Sequence, residues 1–243
     1  TTGKQWFMTA WKFFVASESL KTAFKADGTP FVVVTDAQIA TNHLLHADGS
    51  PRYPIVFSLA NEAVADNEID PLRNYVNAGG FLFVGSSSFT RNTNGTARSN
   101  FALASEMGLN KVITGLTNWG TNLNFTKIGN HRLVSHVPSG TVKWRMPFHA
   151  EQLSLGISPN NAPVGLHWVW RVNTNGGAQA LANGSLGPVL ATKSYGQGRF
   201  IYHSAMQPLV AHGGFEVGMF AYAIYREAVE WAFEAANIPL ARV

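Results

Sequence analysis

Four consecutive large apolar residues, Phe81-Leu82-Phe83-Val84, set between two glycines and a run of serines, constrain this chain more than any other stretch. A short run without a polar residue is what a strand buried on both faces of a sheet requires. The residues before it specify how the chain arrives. Asp70-Pro71 predicts an N-cap followed by proline at the first helical position, where its missing N–H costs nothing. Leu72, Tyr75 and Val76 then recur at the three- and four-residue spacing of one helical face. Gly79-Gly80 predicts a left-handed C-cap, cheap only without a Cβ. After Gly85, Ser86-Ser87-Ser88 predict a polar strand tip. A helix, a glycine turn, a buried strand and a polar tip make half of an α/β unit, and ligands gather at such tips in open α/β sheets. The Phe81–Val84 strand is expected at the centre of its sheet.

The flanking text repeats the pattern. Lys4–Val15 (KQWFMTAWKFFV) reads as a first strand, and Ser19–Ala26 as a short helix with Leu20, Ala23 and Phe24 inward. Phe31–Val34 reads as a second buried strand, Ala37–Leu45 as helical, and Tyr53–Leu59 as a third strand. The order β-α-β-α-β-α-β through residue 88 predicts a parallel sheet with right-handed crossovers. Beyond Ser88 the periodicity lapses. Phe101–Met107 reads as a short helix closed by Gly108, while Thr141–Met146 and Leu166–Val172 alternate like short antiparallel strands. Asn173–Gly177 (NTNGG) has hairpin-turn composition. Pro188–Tyr195 and Arg199–His203, around Gly196-Gln197-Gly198, form the clearest hairpin. A closing helix from Phe215 to Ala236 carries the stripe Phe220, Ile224, Ala228, Trp231 and Ala235. Together these predict one domain over residues 1–243: a three-layer α/β sandwich with a mainly parallel sheet and an irregular β-rich insertion or small lobe at about 90–185.

Composition removes several chemistries. None of the 243 residues is cysteine, which excludes disulfides, thiolate metal sites and a cysteine nucleophile together. No apolar run approaches the roughly 18 residues of a membrane span. The opening TTGK, without methionine or signal peptide, reads as a mature form or an excised segment. Amide-rich, cysteine-free text suits an extracellular or periplasmic setting. The net charge of +4 is unevenly spread: residues 91–200 hold ten Lys and Arg against Glu106 and Glu151, while both ends are mildly acidic. Such a middle could present a face to an anionic partner through the field of clustered charge, or its cations could be scattered and solvated.

Four stretches together resemble a class I glutamine amidotransferase-like domain, a flavodoxin-like sandwich. They are YPIVFSLANEAVADNEID, LRNYVNAGGFLFVG, GPVLATKSYGQGRFIYHS and the closing EWAFEAANIP. Within that group the chain is most similar to non-glutaminase members, the trehalose-utilisation-type and β-galactosidase trimerisation-type domains. The resemblance covers residues 10–90 and 186–238 and leaves the basic middle largely outside. Glutaminase members place a cysteine on the turn after the strand matching Phe81–Val84, and a His-x-Glu after a later strand. Here that turn holds Ser86, Ser87 and Ser88; His203 falls near the histidine position, and Ser204-Ala205 follow it without the glutamate. The resemblance therefore implies the fold without cysteine-dependent glutamine hydrolysis. The tail from Trp231 to Arg242 also resembles the run-up to a polysaccharide-deacetylase-type catalytic domain, which implies an accessory module with a catalytic domain C-terminal to it.

Three sets of side chains are candidates for chemistry. One of Ser86, Ser87 and Ser88 could act as a nucleophile with His203 as base, since both lie at strand tips; the turn does not spell G-x-S-x-G and no orienting acid is evident. His43, His46 and Asp48 have helical spacing for metal ligation but fall short of the three or four ligands plus outer partners of a zinc site, so neither a metal nor another cofactor is expected. Trp119, Trp144, Arg145, Trp168, Trp170 and Arg171 lie in the amide-rich middle, and aromatic faces beside polar groups suit sugar rings. No nucleic-acid signature is visible. The expected function is a non-catalytic accessory or carbohydrate-binding module of an extracellular polysaccharide-acting protein, its partner a polysaccharide, neutral or anionic. A serine hydrolase using Ser87 and His203, and a structural oligomerisation domain, are the alternatives.

Overall fold

In the computed structural model, residues 17–18, 20–59, 61–85, 87–112, 117–118, 122–145, 168–169, 171–184, 187–204 and 215–242 are described. The buried run forms a strand as its composition demands. Strand β1 (Ile55–Leu59) pairs in parallel with β2 (Phe81–Gly85), all five of whose residues are buried. The other face of the ladder goes to the chain's penultimate element. Strands β10 (Gly187–Tyr195) and β11 (Gly198–His203) form a hairpin, and β11 lies parallel to β2 with Ile201 opposite Phe83 and His203 opposite Gly85. The turn is Gly196-Gln197, and Gly196 takes φ +56°, where a Cβ is disfavoured.

Strands β9 (Gln179–Gly184), β5 (Asn122–Lys127) and β6 (Thr141–Arg145) complete a seven-stranded sheet in the order β1-β2-β11-β10-β9-β5-β6. Two neighbouring pairs are parallel and the other four antiparallel. The expected mainly parallel sheet is thus corrected to a mixed one. Once Gly196-Gln197 closes a tight hairpin, β10 must run against β11, and the strands added beyond it continue by antiparallel pairing. Three strands of the stretch expected as an insertion therefore extend the main sheet. The rest of that stretch contributes two short ribbons: β3 (Leu109–Lys111) with β8 (Val172–Thr174), and β4 (Thr117–Asn118) with β7 (Trp168–Val169). The NTNGG stretch joins β8 to β9 as a turn, but these two pair with other partners and make no hairpin.

Period-two alternation splits the core between the two faces of the sheet. Phe81, Phe83 and Ile201 face helix α4 (Phe215–Ala235), meeting its Ile224, Tyr225, Ala228 and Val229, with Leu20 and Phe24 of the helical residues 20–27 beside them. Leu82, Val84, Phe200 and Tyr202 face helix α2 (Asp66–Asn77), meeting Leu72, Tyr75 and Val76. Two short helices, α1 (Asp36–Ala40) and α3 (Ala104–Met107), lie in the chain before and after that unit. Three layers result.

Helix α2 starts five residues earlier than Asp70-Pro71 suggests, at Asp66 rather than Pro71, so Pro71 lies inside it. The Glu68 carboxylate reaches back to accept the Ala65 N–H at 3.1 Å, which caps the earlier start without a Ser, Thr, Asp or Asn. The helix ends just before Gly79-Gly80 as expected, with the positive φ, +119°, at Gly79. Gly80 is needed for space instead, since a Cβ there would lie 2.2 Å from the Tyr75 ring, whose hydroxyl donates to the Tyr53 carbonyl at 2.8 Å.

Phe31–Val34 is a second correction. It forms no regular element and pairs with no strand among the described residues, and Val32 and Val33 are 63% and 69% exposed. Its ends still anchor, Phe31 against one core and Val34 against the other. An apolar run becomes a buried strand only where a ladder partner and two covering layers exist. The expected Lys4–Val15 strand lies outside the described residues.

Candidate functional site

The carboxyl ends of β1, β2 and β11 gather the serine tip and the histidine. The register puts His203 beside Gly85, so both strand tips lie at one sheet edge, as the sequence implies. Their environment is closed. Ser87, Ser88 and Ser204 are fully buried and His203 is 1% exposed, its ring edge-on to Tyr225 at 6.4 Å. The Ser87 hydroxyl makes no hydrogen bond among the described residues. Ser88 Oγ accepts the Asn61 N–H at 3.1 Å and sits 2.9 Å from the Ser58 and Gly85 carbonyl oxygens, to either of which it donates. Ser88 thereby ties the tips of β1 and β2 together. Among the described residues of the turn, Phe89 is the left-handed one, at φ +65°, and Ser87 and Ser88 are not; a nucleophile elbow places that strain on the nucleophile. Ser86 lies outside the described residues.

A largely apolar groove of about 520 Å³ runs beside β1, which pairs on one side only among the described residues. Phe24, Phe31, Phe57 and Phe233 line it from one core; Leu72 and the buried Glu68 line it from the other. Burial pushes the Glu68 carboxyl above its ordinary range, and the nearby Asp36 charge adds to this against the Ala65 N–H.

The tryptophan and arginine candidates of the middle are distributed over different elements. Trp144 and Arg145 are on β6, the last strand of the main sheet, opposite Leu123 and Asn122; Trp168 is on β7, in a separate ribbon. Arg171 is exposed just before β8, while Trp119 and Trp170 lie outside the described residues. His43 is engaged elsewhere, its Nε2 3.1 Å from the Tyr53 hydroxyl, and Asp48 accepts the Ser50 N–H at 2.9 Å. No three metal-ligating side chains converge among the described residues.

Tertiary structure rearranges the cationic middle. Arg91 pairs with Glu62 at 2.9 Å, and Arg98 with Asp66 at 2.7 Å. Arg132 bridges Glu227 at 2.6 Å and Glu234 at 2.7 Å. Each of these carboxylates comes from an acidic end of the chain. Lys111, Lys127 and Lys193 donate to the backbone carbonyls of Arg98, Val137 and Ser105. Much of the expected basic face is consumed internally.

Arg199, at the start of β11, is different. Its guanidinium lies 4.3 Å from the Trp231 ring centre and 5.9 Å from that of Phe81, and its Nε is buried with no hydrogen-bond partner. Burial lowers its pKa, and among the described residues no carboxylate offsets this. His131 meets the same indole edge-on at 5.2 Å. Its Nδ1 accepts the Leu133 N–H at 3.2 Å, so the neutral ring carries its proton on Nε2. Burial, then Arg199 and Arg132, hold the imidazole below its ordinary pKa. No sequence motif points to this trio: its members are far apart in the chain, and only the sheet and α4 bring them together.

Comparison with known proteins places the fold. Gan42B, a GH42 β-galactosidase from G. stearothermophilus, shares it at TM-score 0.59 and 14% identity, over 90% of this chain and 25% of its own. So do β-galactosidases from Rahnella sp. R3 (TM-score 0.53, 15% identity, 77% of this chain and 23% of that one) and Bacillus circulans sp. alkalophilus (0.52, 12%, 76% and 23%). The chain spans about a quarter of the length of these structures. At such identities the likeness is one of fold, and it fits in part the β-galactosidase resemblance of the sequence. No family model and no curated protein matches the chain.

Proposed function

We propose that this chain is a non-catalytic accessory domain of a carbohydrate-acting protein, of amidotransferase-like descent, that binds polysaccharide outside the cytoplasm. The observation that carries the reading is the fold held in common with a quarter-length part of several β-galactosidases. The closed tip supports the non-catalytic half. A nucleophile needs a base within about 2.6–3.2 Å and access to substrate, and Ser87 is fully buried with no hydrogen bond to its hydroxyl among the described residues. Trp119, Trp144, Arg145, Trp168, Trp170 and Arg171 remain the proposed contact residues of the β-rich middle.

Affinity electrophoresis against neutral and uronate-containing polysaccharides tests the binding role; retardation by at least one is expected. Retardation by none would favour the structural oligomerisation reading, which light scattering would then measure directly. A fluorophosphonate probe tests the hydrolase reading. No labelling is expected, and labelling lost in Ser87→Ala would replace the accessory role with an enzymatic one.

A further inference from the structure

We propose that Arg199 and His131, both in contact with the Trp231 indole, form a carboxylate-binding site that takes a uronic acid unit of an acidic glycan. The carboxylate follows from the geometry alone; the sugar rests on the carbohydrate reading above.

The starting point is an imbalance. Among the described residues, arginines 73, 91, 98, 132, 226 and 242 each meet a carboxylate, Arg52 donates to the His43 and Leu45 carbonyls, and Arg171 is exposed to solvent. Arg199 is half-buried and meets none. A guanidinium that gives its face to an indole keeps its N–H donors in its own plane, and a carboxylate engages that edge with two parallel hydrogen bonds. Arg132, whose guanidinium lies 5.6 Å from the centre of the same indole, cannot compete for such a ligand, because Glu227 and Glu234 already hold it. Those same glutamates are thereby kept from Arg199. The Nε2–H of His131 supplies a second donor on the same indole, and Trp231, itself partly exposed, offers apolar surface beside the charged edge for a pyranose ring. The three residues stand on β11, on the position before the 3₁₀ turn Arg132–Val134, and in the C-terminal part of α4.

The test is an NMR titration of the whole chain, following the Arg199 Nε–H and the Trp231 indole N–H. The probes are D-glucuronate and D-galacturonate, with glucose, galactose and acetate for comparison. Saturable shifts with a uronate are expected, absent with the neutral sugars and weakened by salt. Arg199→Gln should weaken binding on the order of tenfold or more, as loss of charge-assisted hydrogen bonds does. Arg199→Lys, which keeps charge without the fork, should recover only part of it. Unchanged melting temperatures in both variants separate lost binding from lost folding. No shift with either uronate, or equal shifts with glucose, would overturn the site. Acetate binding as tightly as glucuronate would overturn the sugar and leave a docking point for a protein carboxylate. If neutral polysaccharides retard the chain while uronates leave Arg199 unmoved, this site falls and the accessory role stands.

Discussion

At the scale of single residues, burial decides what each group can do. Phe83 is fully buried and stacks on Tyr225 at 4.5 Å and Phe57 at 5.2 Å. Phe83→Ala should cost about 3–5 kcal/mol by opening a cavity in the α4-facing core; urea unfolding measures it, and a loss below about 1 kcal/mol would contradict that packing. Glu68 gives a test with a sign. Its folded pKa is raised, so its contribution to stability is most favourable below the unfolded glutamate pKa and is lost as pH rises through the folded value. Gln in its place still accepts the Ala65 N–H but carries no charge. Glu68→Gln should therefore raise the melting temperature at neutral pH and change it little near pH 4, where the carboxyl is already largely protonated. Equal effects at both values would mean that the charge is not what burial penalises.

At the scale of elements, the β10–β11 hairpin sets the sheet. Its two-residue turn fits against α2: a Cβ on Gly198 would come within 2.2 Å of the Gly80 and Val76 carbonyl oxygens, and one on Gly196 within 2.5 Å of the Asn77 carbonyl oxygen. Backbone atoms cannot rotate away as a side chain can. Gly198→Ala should cost about 1–3 kcal/mol or more through overpacking. Gly49, at φ +83° with nothing within 4 Å, should lose only the roughly 1–2 kcal/mol of left-handed strain on the same change. Thermal melts of the two variants compare them, and a Gly198→Ala protein no less stable than Gly49→Ala would mean that the hairpin does not sit this close to α2.

Across the molecule, ion pairs join stretches distant in sequence. Arg132 fastens the 3₁₀ turn to α4 through Glu227 and Glu234, the former only 12% exposed. Removing the arginine leaves Glu227 partly buried without its closest cation, with His136 3.8 Å away. Arg132→Met should destabilise by about 1–3 kcal/mol. The effect should shrink when Glu227→Gln is introduced with it, and additive losses in that double-mutant cycle would show that the pair is not coupled.

The sequence by itself determined the local decisions. The Phe81–Val84 run fixed a doubly buried strand, Gly79-Gly80 fixed the end of its helix, Gly196-Gln197 fixed a hairpin, and the apolar stripe fixed α4 to within a residue of its expected end. These follow from neighbours a few positions apart, where period and turn chemistry act. Tertiary structure decided which strands pair and in what direction. It made the sheet mixed, left Phe31–Val34 without a ladder partner among the described residues, drew 90–185 partly into the main sheet, and spent Arg91, Arg98 and Arg132 of the middle on carboxylates from the ends. It also decided the sites, closing the serine tip and assembling Arg199, His131 and Trp231 from three elements. Pairing and charge neutralisation depend on which segments meet in space, and one-dimensional spacing carries that only where the contacts are local.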